Sequence, residues 1–236
     1  MKVYLNEITG VPDALESMYM SKRTWTHELA EEIRSDWDVY VSDPNGYKSE
    51  HERTEDRVRS FCKFAWKHTT MLDFITISVT VEGLHRAGQD DWDAHAQRYN
   101  NRIIRSSTRL ADFGEDEMSD FYRRKIIPTE VALDICSVKI PQSIVVEGHT
   151  YVKTEGGYIR EDLKDDRDVK RGLYRECIPS NFIFKCNMAQ WAHVYRVRNA
   201  KGTANPEVKE VAERIQDAIE NRLPWLDREF LQKVMI

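Results

Sequence analysis

The chain has 236 residues, with 35 Lys and Arg against 40 Asp and Glu, for a formal net charge of −5. Hydrophobic residues make up 41% and charged residues 32%, a soluble globular composition in a chain long enough to bury a core without disulfides or a structural metal. No apolar run approaches the roughly 18 residues of a membrane span, the start Met1–Ile8 lacks the apolar stretch of a signal peptide, and the acidic balance argues against a general nucleic-acid coat.

Residues 10–36 read as a helical region, because Ala14, Leu15, Met18, Trp25, Leu29 and Ile33 recur at roughly helical spacing among acids. Asp43-Pro44-Asn45-Gly46 predicts a turn, Pro presetting φ and Gly permitting positive φ. A second helix is expected over 54–68, with Val58, Phe61, Cys62, Ala65 and Trp66 on one side. Phe74 to Glu82 alternates apolar and polar residues and predicts a strand with one buried face. The stretch 90–112 is basic and reads as mostly helical.

Pro128 and Pro141 punctuate the middle of the chain. Ser143–Glu147 and Thr150–Thr154 flank Gly148-His149, and Gly156-Gly157 precedes Tyr158-Ile159, which predicts a β-hairpin or three-stranded insertion near 143–160. Helices are expected over 165–177, then from a cap at Ser180 or Asn181 to about Arg198. Asn205-Pro206-Glu207 is a helix start, with Asn as cap and Pro at the first helical position, for a helix running to about Asn221; a last helix follows Pro224. No repeat, linker or low-complexity segment divides the chain, so residues 1–236 read as a single domain. Cys62, Cys136, Cys177 and Cys186 form no CxxC pair and no zinc spacing, which fits a reducing cytoplasm and no metal site.

Four groupings carry chemistry. Asn187 and Arg198 are eleven residues apart, about three helical turns and ~16 Å along one face, with Trp191 and Val194 between them. Polar residues at both ends of an apolar stripe suit a long, two-part ligand, or else a helix leaving the core with Arg198 reaching solvent at its end. Arg171 and Arg175 form a fork fit to clamp a phosphate, or a surface pair neutralised by Asp162, Asp165, Asp166 or Asp168. Gln97 to Arg109 holds four arginines and no acid, beside Ser106, Ser107 and Thr108, as an anion-binding surface or a basic face paired with acids elsewhere. His68, ahead of Thr69-Thr70, is a catalytic candidate or a structural histidine.

Taken in order and spacing, these segments resemble the flavin-dependent thymidylate synthase (ThyX) family. His68-Thr69-Thr70-Met71-Leu72-Asp73-Phe74 matches that family's His-x-Thr-x-x-Glu-His, with Asp73 for Glu and Phe74 for the second His. Ser107-Thr108-Arg109 matches the end of its Arg-His-Arg-x-x-Ser-x-Asn-x-x-Ser-x-Arg-Tyr signature, while Gln97-Arg98-Tyr99 stands at Arg-His-Arg and Arg102 and Ile104 at the first Ser and Asn. Arg175, Pro179, Asn187, His193, Arg198, Ala204 and Glu207-Val208 follow the family's C-terminal pattern.

The resemblance implies an α+β fold, an antiparallel β-sheet flanked by helices with a helical C-terminal third. It implies reductive methylation of dUMP to dTMP with methylenetetrahydrofolate, FAD and NADPH, without a cysteine nucleophile, in a homotetramer whose active sites are shared between subunits. Under it, Asn187, His193, His68 and Thr70 contact the flavin, and Arg98, with Tyr99, takes flavin contacts of the altered signature. Arg198, Ser107, Arg109 and Arg175 bind dUMP, with Arg198 and Ser107 as the catalytic candidates. The altered signature keeps two alternatives open: different C5 chemistry on a pyrimidine nucleotide, such as dUMP hydroxymethylation, or a nucleotide-binding protein that has lost catalysis.

Overall fold

The computed structural model describes residues 1–43, 49–96, 102–105, 129–154, 157–165, 178–200 and 205–234. Its first element is a strand absent from the sequence reading, β1 (Lys2–Thr9). Val3, Leu5 and Ile8 lean on the core, but a bulge between Leu5 and Glu7 breaks the period of two that would have announced the strand. The expected helical region 10–36 is two helices, α1 (Val11–Ser21) and α2 (His27–Ser42). The Thr26 hydroxyl caps α2 by accepting from the Leu29 amide at 3.2 Å. Ala14, Leu15, Met18 and Ile33 are buried as their spacing requires, whereas Trp25 lies in the break and its indole donates to Glu16 at 2.8 Å. Of the expected turn, Pro44-Asn45-Gly46 falls outside the described residues.

Helix α3 (Ser49–Ala65) buries Val58, Phe61 and Ala65 in the core and ties to α2 by charge. Asp36 of α2, buried, accepts from both Arg53 and Arg57 of α3, while Arg57 also reaches Glu32. A 3₁₀ turn (Thr69–Phe74) leads into β2 (Thr76–His85). Ile77, Val79 and Val81 are buried, as the alternation predicts, but Phe74 belongs to the turn and is 51% exposed. Of the stretch 90–112, expected to be mostly helical, residues 90–96 belong to helix α4 (Arg86–Ala96), 102–105 form the short strand β3 (Arg102–Arg105) instead, and the rest lies outside the described residues. The Ile103-Ile104 pair is a β-branched run of the kind sheets accept, and β3 pairs with a later strand.

After α5 (Thr129–Ile135), strands β4 (Ser143–Val146), β5 (His149–Thr154) and β6 (Gly157–Arg160) form a three-stranded antiparallel meander where a hairpin or three strands were expected. Glu147 and Gly148, both at positive φ (50° and 79°), make the two-residue connection from β4 to β5. Most of the helix expected over 165–177 lies outside the described residues.

In place of the helix expected from Ser180 or Asn181, the chain forms β7 (Pro179–Asn187). Phe182, Phe184 and Cys186 point inward and alternate with exposed Asn181, Ile183 and Lys185. The helix begins only at α6 (Met188–Asn199). Helix α7 (Pro206–Arg222) starts at the Asn205 cap that the sequence marks, and α8 (Arg228–Lys233) follows Asp227, whose carboxylate accepts from the Phe230 amide at 2.7 Å.

The main sheet runs in the order β1-β2-β7-β3, all antiparallel. Helices α6 and α7 pack on the strands and α1 and α3 on the 3₁₀ turn, and their apolar residues form one continuous core with Phe182, Phe184, Val79 and Val81. This is the α+β arrangement expected, with helices α6, α7 and α8 following β7. Among the described residues no helix is long and apolar enough to cross a membrane.

Candidate functional site

Helix α6 organises the site because its head joins the end of β7 and its tail meets α4. At its head, Asn187 is the last residue of β7 and pairs across the sheet with Thr76. Its side-chain oxygen accepts from the Gln190 amide at 2.8 Å, which caps the helix and leaves the side-chain NH2 unused by the cap. The Met188 amide donates to the Ile75 carbonyl at 2.8 Å, tying this head to the end of the 3₁₀ turn. That turn carries Thr70, exposed, and is preceded by His68, whose exposed ring stacks on Phe64 with centroids 4.4 Å apart. The structure therefore brings Asn187, Thr70 and His68 to one end of the sheet. His193 sits half-buried on α6. Asp73, on the same turn, has its carboxyl held above the usual range by burial. A spare amide donor, a hydroxyl and an open imidazole form a donor set suited to the carbonyls and ring nitrogens of a flavin.

At the tail, Arg198 is 4% exposed and does not reach solvent. One terminal nitrogen donates to the main-chain carbonyl of Asp91 in α4, and the Nε–H has no partner. Burial lowers its pKa against the opposing pull of the Asp91 carboxylate, yet a guanidinium stays protonated at neutral pH. Trp191 and Val194 between the two ends are buried, and the Trp191 indole donates to Gln216 at 2.8 Å. The stripe is core packing, so the two polar ends are joined by the helix itself, about 16 Å long between them, and not by an open groove along that face.

Around the tail lies a buried polar cluster that sequence reasoning missed. His85, the last residue of β2, has 0% exposure; its Nδ1 accepts from the Gly88 amide at 2.9 Å and its Nε2 lies 3.0 Å from the Glu207 carboxylate. Gln89 donates to the Leu84 carbonyl at 3.1 Å, while its own Oε1, the Ser180 hydroxyl and the Trp92 indole N–H are buried without partners. Each such atom costs about 1–3 kcal/mol unless something completes its bonding. Register explains the gathering: Leu84 pairs with Ser180 and His85 with Pro179, so the end of β2 and the start of β7 deliver these groups together. The one sequence signal was Glu207 in the C-terminal pattern; nothing local marks His85.

The basic stretch is partly neutralised. Arg105 pairs with Asp90 of α4, and Ile104 beside it is 71% exposed on β3. Asp162, a candidate partner for Arg171 and Arg175, instead pairs with Arg160 at 2.6 Å. Arg98, Tyr99, Ser107, Arg109, Arg171 and Arg175 lie outside the described residues.

Elsewhere, a groove of about 480 Å³ opens between α3 and α8, walled by Val58, Cys62, Trp66, Trp225 and Phe230, and holds none of the sequence-predicted site residues. The Cys62 thiol is pushed up to about 12 by burial and the Asp227 carboxylate, and burial also raises Cys186, so neither is a thiolate nucleophile at neutral pH. Among the described residues no His, Cys, Asp and Glu cluster could hold a metal ion.

The family model described as thymidylate synthase complementing protein matches residues 12–225. No curated protein matches the chain by sequence. Thymidylate synthase X of Helicobacter pylori, in a structure with FAD and dUMP, superposes with a TM-score of 0.59 at 13% identity, covering 98% of this chain and 100% of that one. PolB of Streptomyces cacaoi, a UMP/dUMP methylase bound with 5-Br dUMP, superposes with a TM-score of 0.56 at 11% identity, covering 98% and 94%. At these identities the likeness is one of fold.

Proposed function

From the premise that the chain belongs to the thymidylate synthase complementing protein family, we propose that it methylates C5 of dUMP to give dTMP, with methylenetetrahydrofolate as carbon donor and NADPH as reductant. FAD, when bound, supplies the hydride chemistry. Asn187, Thr70, His68, His193 and Arg98 would hold it, and the spare Asn187 amide, the Thr70 hydroxyl and the open His68 ring support that assignment.

The observation that carries the reading is the buried guanidinium of Arg198. C5 of uracil becomes nucleophilic as negative charge builds on the ring, and a fixed cation in a dry site stabilises that charge without reorganising. Ser107, Arg109 and Arg175 would hold the nucleotide and its phosphate. The raised thiols of Cys62 and Cys186 agree with chemistry that needs no cysteine nucleophile. Core packing between the two ends of α6 favours a homotetramer with shared sites, in which the head of one subunit's helix faces the tail of another's. Among the described residues Cys62, Cys136 and Cys186 are free thiols, which supports a cytoplasmic protein.

Purified protein should show flavin absorbance that changes on adding dUMP, and it should form dTMP only with NADPH and methylenetetrahydrofolate. A colourless protein without dTMP formation sinks this reading. A second reading, altered C5 chemistry or acceptance of UMP, is favoured by Ile104, which stands at a signature Asn yet faces solvent on β3, and by the UMP/dUMP methylase among the structures of like fold. The mass of the nucleotide product separates the two.

A further inference from the structure

Two successive helices grip α4 at two points. Arg198, at the tail of α6, reaches the Asp91 carbonyl, and Glu207, in the first turn of α7, reaches His85 where β2 enters α4. The anchors lie six residues apart along the chain, about 9 Å of helix. The His85 ring is fixed on both nitrogens. Because Nδ1 accepts the Gly88 amide, the proton of the neutral ring sits on Nε2, which lies 3.0 Å from the Glu207 carboxylate. Glu207 in turn lies at the positive end of the α7 dipole, behind the Asn205 cap. Gly88 leaves room for the ring: a Cβ there would come within 3.0 Å of Nε2 and 2.9 Å of Leu84 Cδ1.

We infer that His85 and Glu207 are positioning residues for Arg198: their buried pair pins the start of α4, and so fixes the Asp91 carbonyl that orients the guanidinium. His85 has no exposed surface, so the pair acts through α4 and not by touching the nucleotide. The inference rests on the proposed role of Arg198 in holding dUMP. It separates the two ends of α6: loss of the pair disturbs the Arg198 end and leaves the Asn187 end in place.

The test compares Glu207→Ala, Glu207→Gln and Gly88→Ala with the wild type, using dUMP titration calorimetry, FAD absorbance and amide hydrogen exchange. Glu207→Ala should weaken dUMP about tenfold or more, keep wild-type FAD occupancy, and speed exchange in 90–96 but not in β1 or β2. Glu207→Gln, which keeps a polar oxygen facing Nε2, should recover dUMP affinity to within about threefold. Gly88→Ala crowds the buried ring, so it should weaken dUMP while keeping wild-type FAD occupancy; it serves alone if Glu207→Ala does not fold. Wild-type dUMP affinity and α4 exchange in Glu207→Ala overturn the inference. So does an equal loss of FAD and dUMP, which would mark general structural damage. If the wild type binds neither FAD nor dUMP, the proposed function falls, and α4 exchange alone decides whether the pair pins the helix.

Discussion

Arg198 donates to the main-chain carbonyl of Asp91, and this bond joins the tail of α6 to the middle of α4. The guanidinium is thus held by backbone and not by a carboxylate, so its charge is not cancelled by a direct ion pair at that contact. A cation kept in this way, away from water, stabilises a developing anion more strongly than one at the surface.

Arg198→Ala should lower kcat/KM for dUMP by about 10²–10³. Its position at a helix end predicts a side chain outside the core and an undisturbed fold, but the structure buries it. The variant should therefore also lose about 1–3 kcal/mol of stability, since the Asp91 carbonyl is left without its donor. Turnover and thermal unfolding are measured together. Near-normal turnover would remove Arg198 from the mechanism.

Asn187 has two separable tasks. Asn187→Asp keeps an oxygen for the Gln190 amide and should unfold at the wild-type temperature, yet it lacks the side-chain NH2 and should bind FAD more weakly. Asn187→Ala should lose about 1 kcal/mol of stability as well. Equal FAD affinity in Asn187→Asp and wild type would reduce Asn187 to a helix cap.

Burial pushes the Asp36 carboxyl up, but Arg53 and Arg57 outweigh it and hold its pKa below the ordinary value of 3.8. A carboxylate depressed in the folded state contributes stability fully at pH values above its unfolded pKa, and loses it as pH falls through the lower folded value. Urea midpoints should therefore drop steeply from about pH 4 downward in the wild type, and less in Asp36→Asn. At pH 7 that variant should be less stable by about 1–3 kcal/mol, because Arg53 and Arg57 lose their shared buried carboxylate and keep only Glu32. An acid limb identical in both proteins would show that another group governs it.

Iodoacetamide applied to the native protein at pH 8 should modify exposed Cys136 and spare Cys62 and Cys186, whose thiols burial keeps protonated. Turnover should survive the treatment. Mass mapping of the alkylated peptides checks the first expectation, and inactivation that tracks Cys62 or Cys186 would contradict the second.

Gly10 caps α1 in the left-handed region at φ 79°, and a Cβ there would fall 1.9 Å from the Phe74 carbonyl oxygen. Gly10→Ala should cost about 2 kcal/mol or more and, by displacing the 3₁₀ turn, weaken FAD binding along with stability. Wild-type unfolding would show that the turn yields without cost.

Elements with a local physical cause were legible. Asn205-Pro206 starts α7 because the cap and the missing proline donor act within one turn, and β2 shows because its inner face is buried without interruption. Strand β7 was read as helix since Asn181 and Ser180 are good caps, and because exposed Ile183 blurs an alternation otherwise carried by Phe182, Phe184 and Cys186. Asn187, the true cap, lay seven residues beyond Ser180. Of the site, Asn187 and Arg198 were visible through their shared helix. The burial of Arg198 was not, because it depends on α4 closing over the tail, and the His85–Glu207 contact depends on strand register between distant segments.

A continuous α-helix between Asn187 and Arg198 acts as a ruler with a fixed phase. Substitutions along it leave the interval and angle between its ends unchanged, but one inserted or deleted residue turns Arg198 by about 100° and moves it about 1.5 Å, swinging it off the Asp91 carbonyl. Such a segment tolerates wide drift in residue identity and almost none in length. Length-altering variants of α6 should be far rarer than substituted ones.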